Sequence, residues 1–283
     1  MSQEDRGCLE LITEKEEKMS VRHAAVAGQF YPASPDELES MFTRFNEMLE
    51  RSIREPKLLN TKTRAVIVPH AGYVYSGFTA NVAHRLLGNS GVERVVVIGP
   101  SHRVYLNGTS VSEQDLFETP LGDLPIDRAL ATEIIKRFGL GFTPEAHREH
   151  STEVQMPFIK KYLPKSRVVE MVYGDEEPKN LASVIEWLLR DEMTGVVIST
   201  DLSHYYDINR AKALDAICLD AVSRVDPAAL HRGCEACGKI GVEAMLIAAK
   251  DLSLEPMILD YRTSADASGD ESQVVGYMSA AFI

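Results

Sequence analysis

The sequence predicts an α/β fold: a single three-layer α/β/α domain around a largely buried, mixed central sheet. Three observations lead there. The β-branched runs at residues 65–68 and 95–98 each end in a proline and a turn, and continuous apolar runs of that length suit strands buried on both faces. Strand-like and helix-like segments alternate along nearly the whole chain, as they do where helices cover both sides of a sheet. The composition is that of a globular protein, with 45% hydrophobic and 25% charged residues over 283 positions. A chain of that length can bury its apolar surface without covalent staples.

Residues 1–20 are mostly charged and read as a mobile tail, leaving residues 21–283 as the domain. Residues 21–34 are short apolar and turn residues, expected to lie extended against the core. Ser34-Pro35-Asp36-Glu37 is a helix start: the serine caps, the proline suits the first position, and the acids face the positive end of the dipole. That helix should reach about residue 51, followed by polar linker over 52–63. The strands at 65–68 and 95–98, with a helix at 76–87 between them, form a strand–helix–strand unit. In a parallel arrangement both strands end on the same edge. His70 and His102 are then expected at neighbouring strand tips, where open α/β sheets bind ligands.

Scattered Gly and Pro over residues 103–126 predict a hairpin or loop across one end of the sheet. Residues 127–138 read as a helix stopped by Gly139. A further helix starts within 147–157, with Ser151 as its cap. His150 and Glu153 lie three apart on it, which offers a carboxylate-oriented imidazole for acid–base work. A strand over 166–172, a helix over 177–190 with Trp187 facing inward, and a strand over 195–200 follow. Asp201 and His204 therefore stand just past a strand end, as His70 and His102 do. The helix at 207–224 carries Cys218 as a core residue. Cys237 falls where the helix at 240–252 begins, and the positive end of a helix dipole favours a thiolate there. Strands at 255–264 and 274–283 complete the fold, joined by a polar loop of small residues.

A net charge of −12 argues against nucleic acid as the main partner. No apolar run is long enough to span a bilayer, so no membrane role is expected. With four cysteines and no secretory signal, reduced thiols in a cytoplasmic protein are the expectation. Glycine-rich nucleotide loops and a G-x-S-x-G elbow are absent from the sequence.

His70, His102, Asp201, His204 and Cys237 make up the strand-end set. Neutral imidazoles with a thiolate suit a borderline divalent metal or Cu(I). Three protein ligands and an open position mark a catalytic site. Asp201 and His204 would orient those ligands or act as acid and base. The competing readings are loop histidines held by structural hydrogen bonds, and a redox dithiol formed by Cys234 and Cys237.

Six motifs, in order, carry a resemblance: AVAGQFYPASPDEL, VPHAGYVYSG, VVVIGPSH, EHSTEVQMPF, STDLSHY and the Cys237-Gly238 turn. Together they resemble the Memo-like family over residues 21–283. The resemblance implies a fold similar to LigB-type extradiol dioxygenases, which are non-haem iron enzymes, and it implies a metal pocket. Its metal ligands map to His70, His102 and Cys237, and its S-x-D-x-x-H motif maps to Asp201 and His204. The metal so implied is copper or iron, with zinc a further candidate. The function so implied is that of a metal-dependent redox enzyme or metal-handling protein. The alternative is a non-catalytic module holding a small-molecule or peptide ligand. Animal members are linked to motility signalling and metal redox balance, and microbial members to a radical-SAM partner. A cysteine in place of the dioxygenases' carboxylate counts against ring cleavage, because a soft thiolate favours copper and is itself oxidisable.

Overall fold

Strand order places the polar residues. The structure is a computed structural model that describes residues 19–53 and 56–283. All but the last two residues of the expected tail, Cys8 among them, lie outside the described residues. The elements run β1 (Val21–Arg22), α1 (Pro35–Ser52), β2 (Ala65–Val68), α2 (Tyr73–Leu87), β3 (Arg94–Pro100), β4 (Thr109–Val111), β5 (Leu116–Phe117) and β6 (Leu124–Pro125). They continue through α3 (Arg128–Phe138), α4 (His150–Glu153), α5 (Met156–Tyr162), β7 (Arg167–Tyr173), α6 (Pro178–Leu189) and β8 (Thr194–Ser199). β9 (His204–Tyr206), α7 (Ile208–Ser223), α8 (Lys239–Leu252), β10 (Pro256–Thr263), α9 (Ala265–Ser268) and β11 (Val274–Phe282) end the chain.

Among the described residues the main sheet has eight strands, ordered β10-β11-β2-β8-β3-β7-β4, with β9 pairing β11. β2, β8, β3 and β7 run parallel, while β10, β11 and β4 are antiparallel to their neighbours. The sheet is therefore mixed, as the sequence predicts. Successive strand residues alternate between two cores. Ile67, Val96 and Ile98 meet α3, α6, α7 and α8 on one face. Val66, Val68, Val95 and Val97 meet α1, α2 and α5 on the other. Both faces are covered, which is why the central strands read as unbroken apolar runs.

Three local expectations are corrected. First, β2 and β3 are not neighbours, because β8 lies between them and pairs with both. His70 and His102 still leave the same edge, with the end of β8 between them. Second, residues 103–126 do not form one hairpin. β4 joins the edge of the main sheet beside β7, and β5 and β6 make a small sheet with β1.

Third, the helix expected from Ser151 is split into α4 and α5, and the cap of α4 is Glu149, whose carboxylate accepts the N–H of His150 and Ser151. The Ser151 hydroxyl instead donates to the Pro100 carbonyl at 2.7 Å, fastening α4 to the end of β3. That approach needs Gly99. A Cβ there would lie 2.6 Å from Ser151 Oγ and 3.0 Å from Thr152 Cγ2. Gly99→Ala is expected to cost about 1–3 kcal/mol by overpacking, measured by urea unfolding. Gly141→Ala, whose added methyl meets nothing within 4 Å, should cost little.

Candidate metal centre

The carboxyl ends of the parallel strands deliver the side chains. Beyond β2, His70 is 2% exposed. Beyond β3 stands His102, and α4 begins with His150. The ring centroids are 5.1 Å apart for His70 and His102, 5.4 Å for His70 and His150, and 4.7 Å for His102 and His150. One nitrogen from each ring lies within 4.8 Å of the other two.

The ring orientations follow from what each Nδ1 touches. Glu149 is fully buried. Its carboxylate accepts the backbone N–H of His102 at 2.6 Å, of His150 at 2.8 Å and of Ser151 at 3.2 Å. The same carboxylate lies 3.3 Å from His102 Nδ1 and 2.8 Å from His150 Nδ1. Burial alone would raise its pKa, but the bonds from both histidines override burial and hold it far below the usual carboxylate range. An ionised carboxylate only accepts, so each facing Nδ1 carries the proton and, in the neutral ring, Nε2 keeps its lone pair.

His70 reaches the same state by another route. Its Nδ1 is 3.0 Å from Ser199 Oγ. That hydroxyl gives its own hydrogen to the Ser151 carbonyl at 2.5 Å, so it accepts from His70 Nδ1–H. Burial, then the neighbouring His102 and His150, push the His70 pKa well below 6.5. His70 is thus a neutral imidazole with Nε2 unprotonated, the form a metal requires.

Cys237 Sγ lies 3.2 Å from that Nε2 and accepts the Asp201 N–H at 3.3 Å. The helix dipole does not by itself make Cys237 a thiolate. Burial, then the Asp201 charge, push the thiol pKa up to about 12. Burial outweighs the start of α8, because the dipole of a helix end is a modest effect. The S–H therefore faces the His70 lone pair. Asp201, 4% exposed, accepts the His70 backbone N–H at 2.7 Å and so positions that residue, while burial raises its own pKa. His204 sits half-buried on β9, opposite Val275, and its charge is felt at Asp201 and His70.

Glu153 does not partner His150. It pairs with the Arg22 guanidinium, accepts from Tyr31 Oη at 2.8 Å and takes the N–H of Ala25 and Val26. Glu149 serves both histidines instead. Glu149, Ser199 and Gln155 are the site residues that the sequence reading missed. Glu149 directly precedes His150, which is a signal that was there to read. Ser199 and Gln155 are visible only once β8 is placed.

The cysteine expectation also changes. Cys218 and Cys234 form a disulfide, and Cys237 is free. The pairing removes Cys234 from any dithiol with Cys237. It also ties α7 to the loop that leads to Cys237.

The arrangement defines an α/β protein with a histidine cluster at its parallel strand ends, a set of donors that could hold a metal ion. Residues 22–281 match the Memo-like protein family model, and the chain belongs to that family. A "MEMO1 family protein" of Aquifex aeolicus is 33% identical over 276 residues, covering 94% of this chain and 100% of its own. One from Sulfolobus acidocaldarius is 32% identical over 281 residues, covering 93% and 99%. The fold is also similar to the crystal structure of an uncharacterized Escherichia coli K12 protein. That likeness has a TM-score of 0.52 at 14% identity, over 77% of this chain and 99% of that one. No helix among the described residues is long and apolar enough to cross a membrane.

Two predictions follow from the buried groups around the site. His84 stacks on Phe158 with centroids 4.9 Å apart, and its Nε2 is 2.9 Å from Gln155 Oε1. Burial lowers its pKa from 6.5 to about 4, against the raising effect of the Gln155 bond. Its folded pKa is depressed, so its contribution is fully present above pH 6.5 and is lost as pH falls toward 4. The loss is up to about 3 kcal/mol. The slope of unfolding free energy against pH in this window should shrink in His84→Phe; an unchanged slope removes the assignment. Separately, peptide mapping of the unreduced protein should find Cys218 linked to Cys234. Cys237 should alkylate slowly at neutral pH, since only the thiolate reacts.

Proposed function

We propose that this Memo-like protein binds a copper or iron ion at the strand ends and acts as a metal-dependent redox enzyme or metal-handling protein. The observation that carries this reading is the convergence of His70, His102 and His150. Each of these rings has its Nδ1 beside a fixed partner, which leaves Nε2 for the shared space. Imidazole nitrogens suit iron, copper and zinc, and the Cys237 sulfur beside His70 adds a soft donor that favours Cu(I).

His70 and His102 serve in either of two ligand sets, and the third ligand is Cys237 or His150. With Cys237 bound, His150 remains beside Glu149 as an oriented acid or base. With His150 bound, the Cys237 thiol stays a hydrogen-bond donor to the pocket. Asp201 holds the His70 backbone in place, and His204 is a nearby group able to take or give a proton. The metal, when bound, would supply Lewis-acid or electron-transfer chemistry.

Metal analysis of protein purified without chelator or affinity-tag nickel should find bound copper or iron. His70→Ala and His102→Ala should lose it. Calorimetry at about pH 7.5 in buffers of different ionisation enthalpy separates the two ligand sets. Cys237, with its pKa pushed up to about 12, is protonated at that pH. Its ligation must therefore release one proton per metal from the thiol. Cys237→Ser abolishes the release in the first case, and His150→Ala weakens binding in the second. A pocket with no affinity for Cu(I) or Fe(II) would sink the proposal and favour a binding module without metal chemistry.

A further inference from the structure

A cavity of about 500 Å³ is lined by Arg22, His23, Arg103, Gln114, His147 and Arg148 among others, and two of these are chain neighbours of cluster residues. No aspartate or glutamate lines it. The whole chain holds 42 acidic residues against 30 Lys and Arg, so a wall with bases and no acids runs against the composition.

Most of these bases are already committed. Arg22 is ion-paired with Glu153. Both His147 ring nitrogens are used, 2.8 Å from Glu170 and 2.8 Å from Ser110 Oγ. His23 lies 3.1 Å from Glu118. Arg103 and Arg148 are different. Both are exposed, and among the described residues neither enters an ion pair. Both line the same cavity, so an anion held there would meet two positive charges. Each presents the planar fork that matches a carboxylate or phosphate. The buried Nε of Arg22 has no hydrogen-bond partner among the described residues.

Position links the cavity to the cluster. Arg103 follows His102, and Arg148 precedes Glu149 and His150. Neighbouring Cα atoms along a chain are only ~3.8 Å apart. Arg22 also donates to the Glu149 carbonyl at 3.0 Å, so one wall of the cavity holds the backbone of the residue that orients both rings. The volume suits a small molecule.

We propose that this cavity is an anion subsite, in which Arg103 and Arg148 grip the phosphate or carboxylate end of a small-molecule ligand whose other end lies at the histidine cluster. The placement of that other end rests on the metal-centre reading; the subsite itself does not. The test uses the metal-free full chain, titrated by calorimetry with inorganic phosphate and, separately, with benzoate. Saturable binding of at least one probe is expected, and the tighter one identifies the anion. The Arg103→Gln, Arg148→Gln double variant should weaken that binding at least ten-fold while keeping the wild-type metal content. His70→Asn should leave probe binding within two-fold, even though it disables the metal site, so the two readings fail separately. Absence of saturable binding by both probes, or equal binding in the double arginine variant, overturns the proposal.

Discussion

Glu149 keeps its charge with no exposure to solvent, and the candidate site depends on the bonds that make this tolerable. Removing a carboxylate from water costs several kcal/mol unless hydrogen bonds offset it. Here the donors come from His102, His150 and Ser151. The same contacts turn both imidazoles so that Nδ1 faces inward. One buried charge thus sets two ring orientations, which is the usual task of a carboxylate behind a ligating histidine. Ser151, through Pro100, and the bare backbone of Gly99 hold the cap in position against β3.

The third imidazole is set by the sheet. Because β8 runs between β2 and β3, its last residue, Ser199, stands between the chain segments carrying His70 and His102. Its single hydroxyl hydrogen goes to Ser151. That leaves it an acceptor for His70 and for Gln155 Nε2 at 2.9 Å. Gln155 in turn lies against His84. A chain of polar contacts therefore runs from the cluster into the helix layer, through groups that burial keeps dry.

At Cys237 two effects oppose each other. The start of α8 favours negative charge, whereas burial and the Asp201 carboxylate oppose it. The second pair is stronger, so the sulfur keeps its proton and lends it to His70 Nε2. The disulfide between Cys218 and Cys234 restrains the loop on which this contact depends.

Much of the fold was legible in the sequence. Ser34 does cap α1, and Asp127 and Gly139 do bound α3, because caps and stops are decided within a few residues. The buried strands at 65–68 and 95–98 announced themselves by their β-branched composition, and the Pro-His endings pointed to His70 and His102. The strand read at 195–200 placed Asp201 and His204 at a third strand end. What the sequence determined was therefore the class of fold, the elements and the polar residues at the strand ends, since these depend on local propensity and periodicity. Only the tertiary structure decided that β8 separates β2 from β3, that Glu149 rather than Glu153 serves His150, that Cys234 pairs with Cys218, and that burial raises the Cys237 pKa. Each of these depends on which distant segments meet and on how much water their meeting excludes, and neither is encoded in the spacing of residues along the chain.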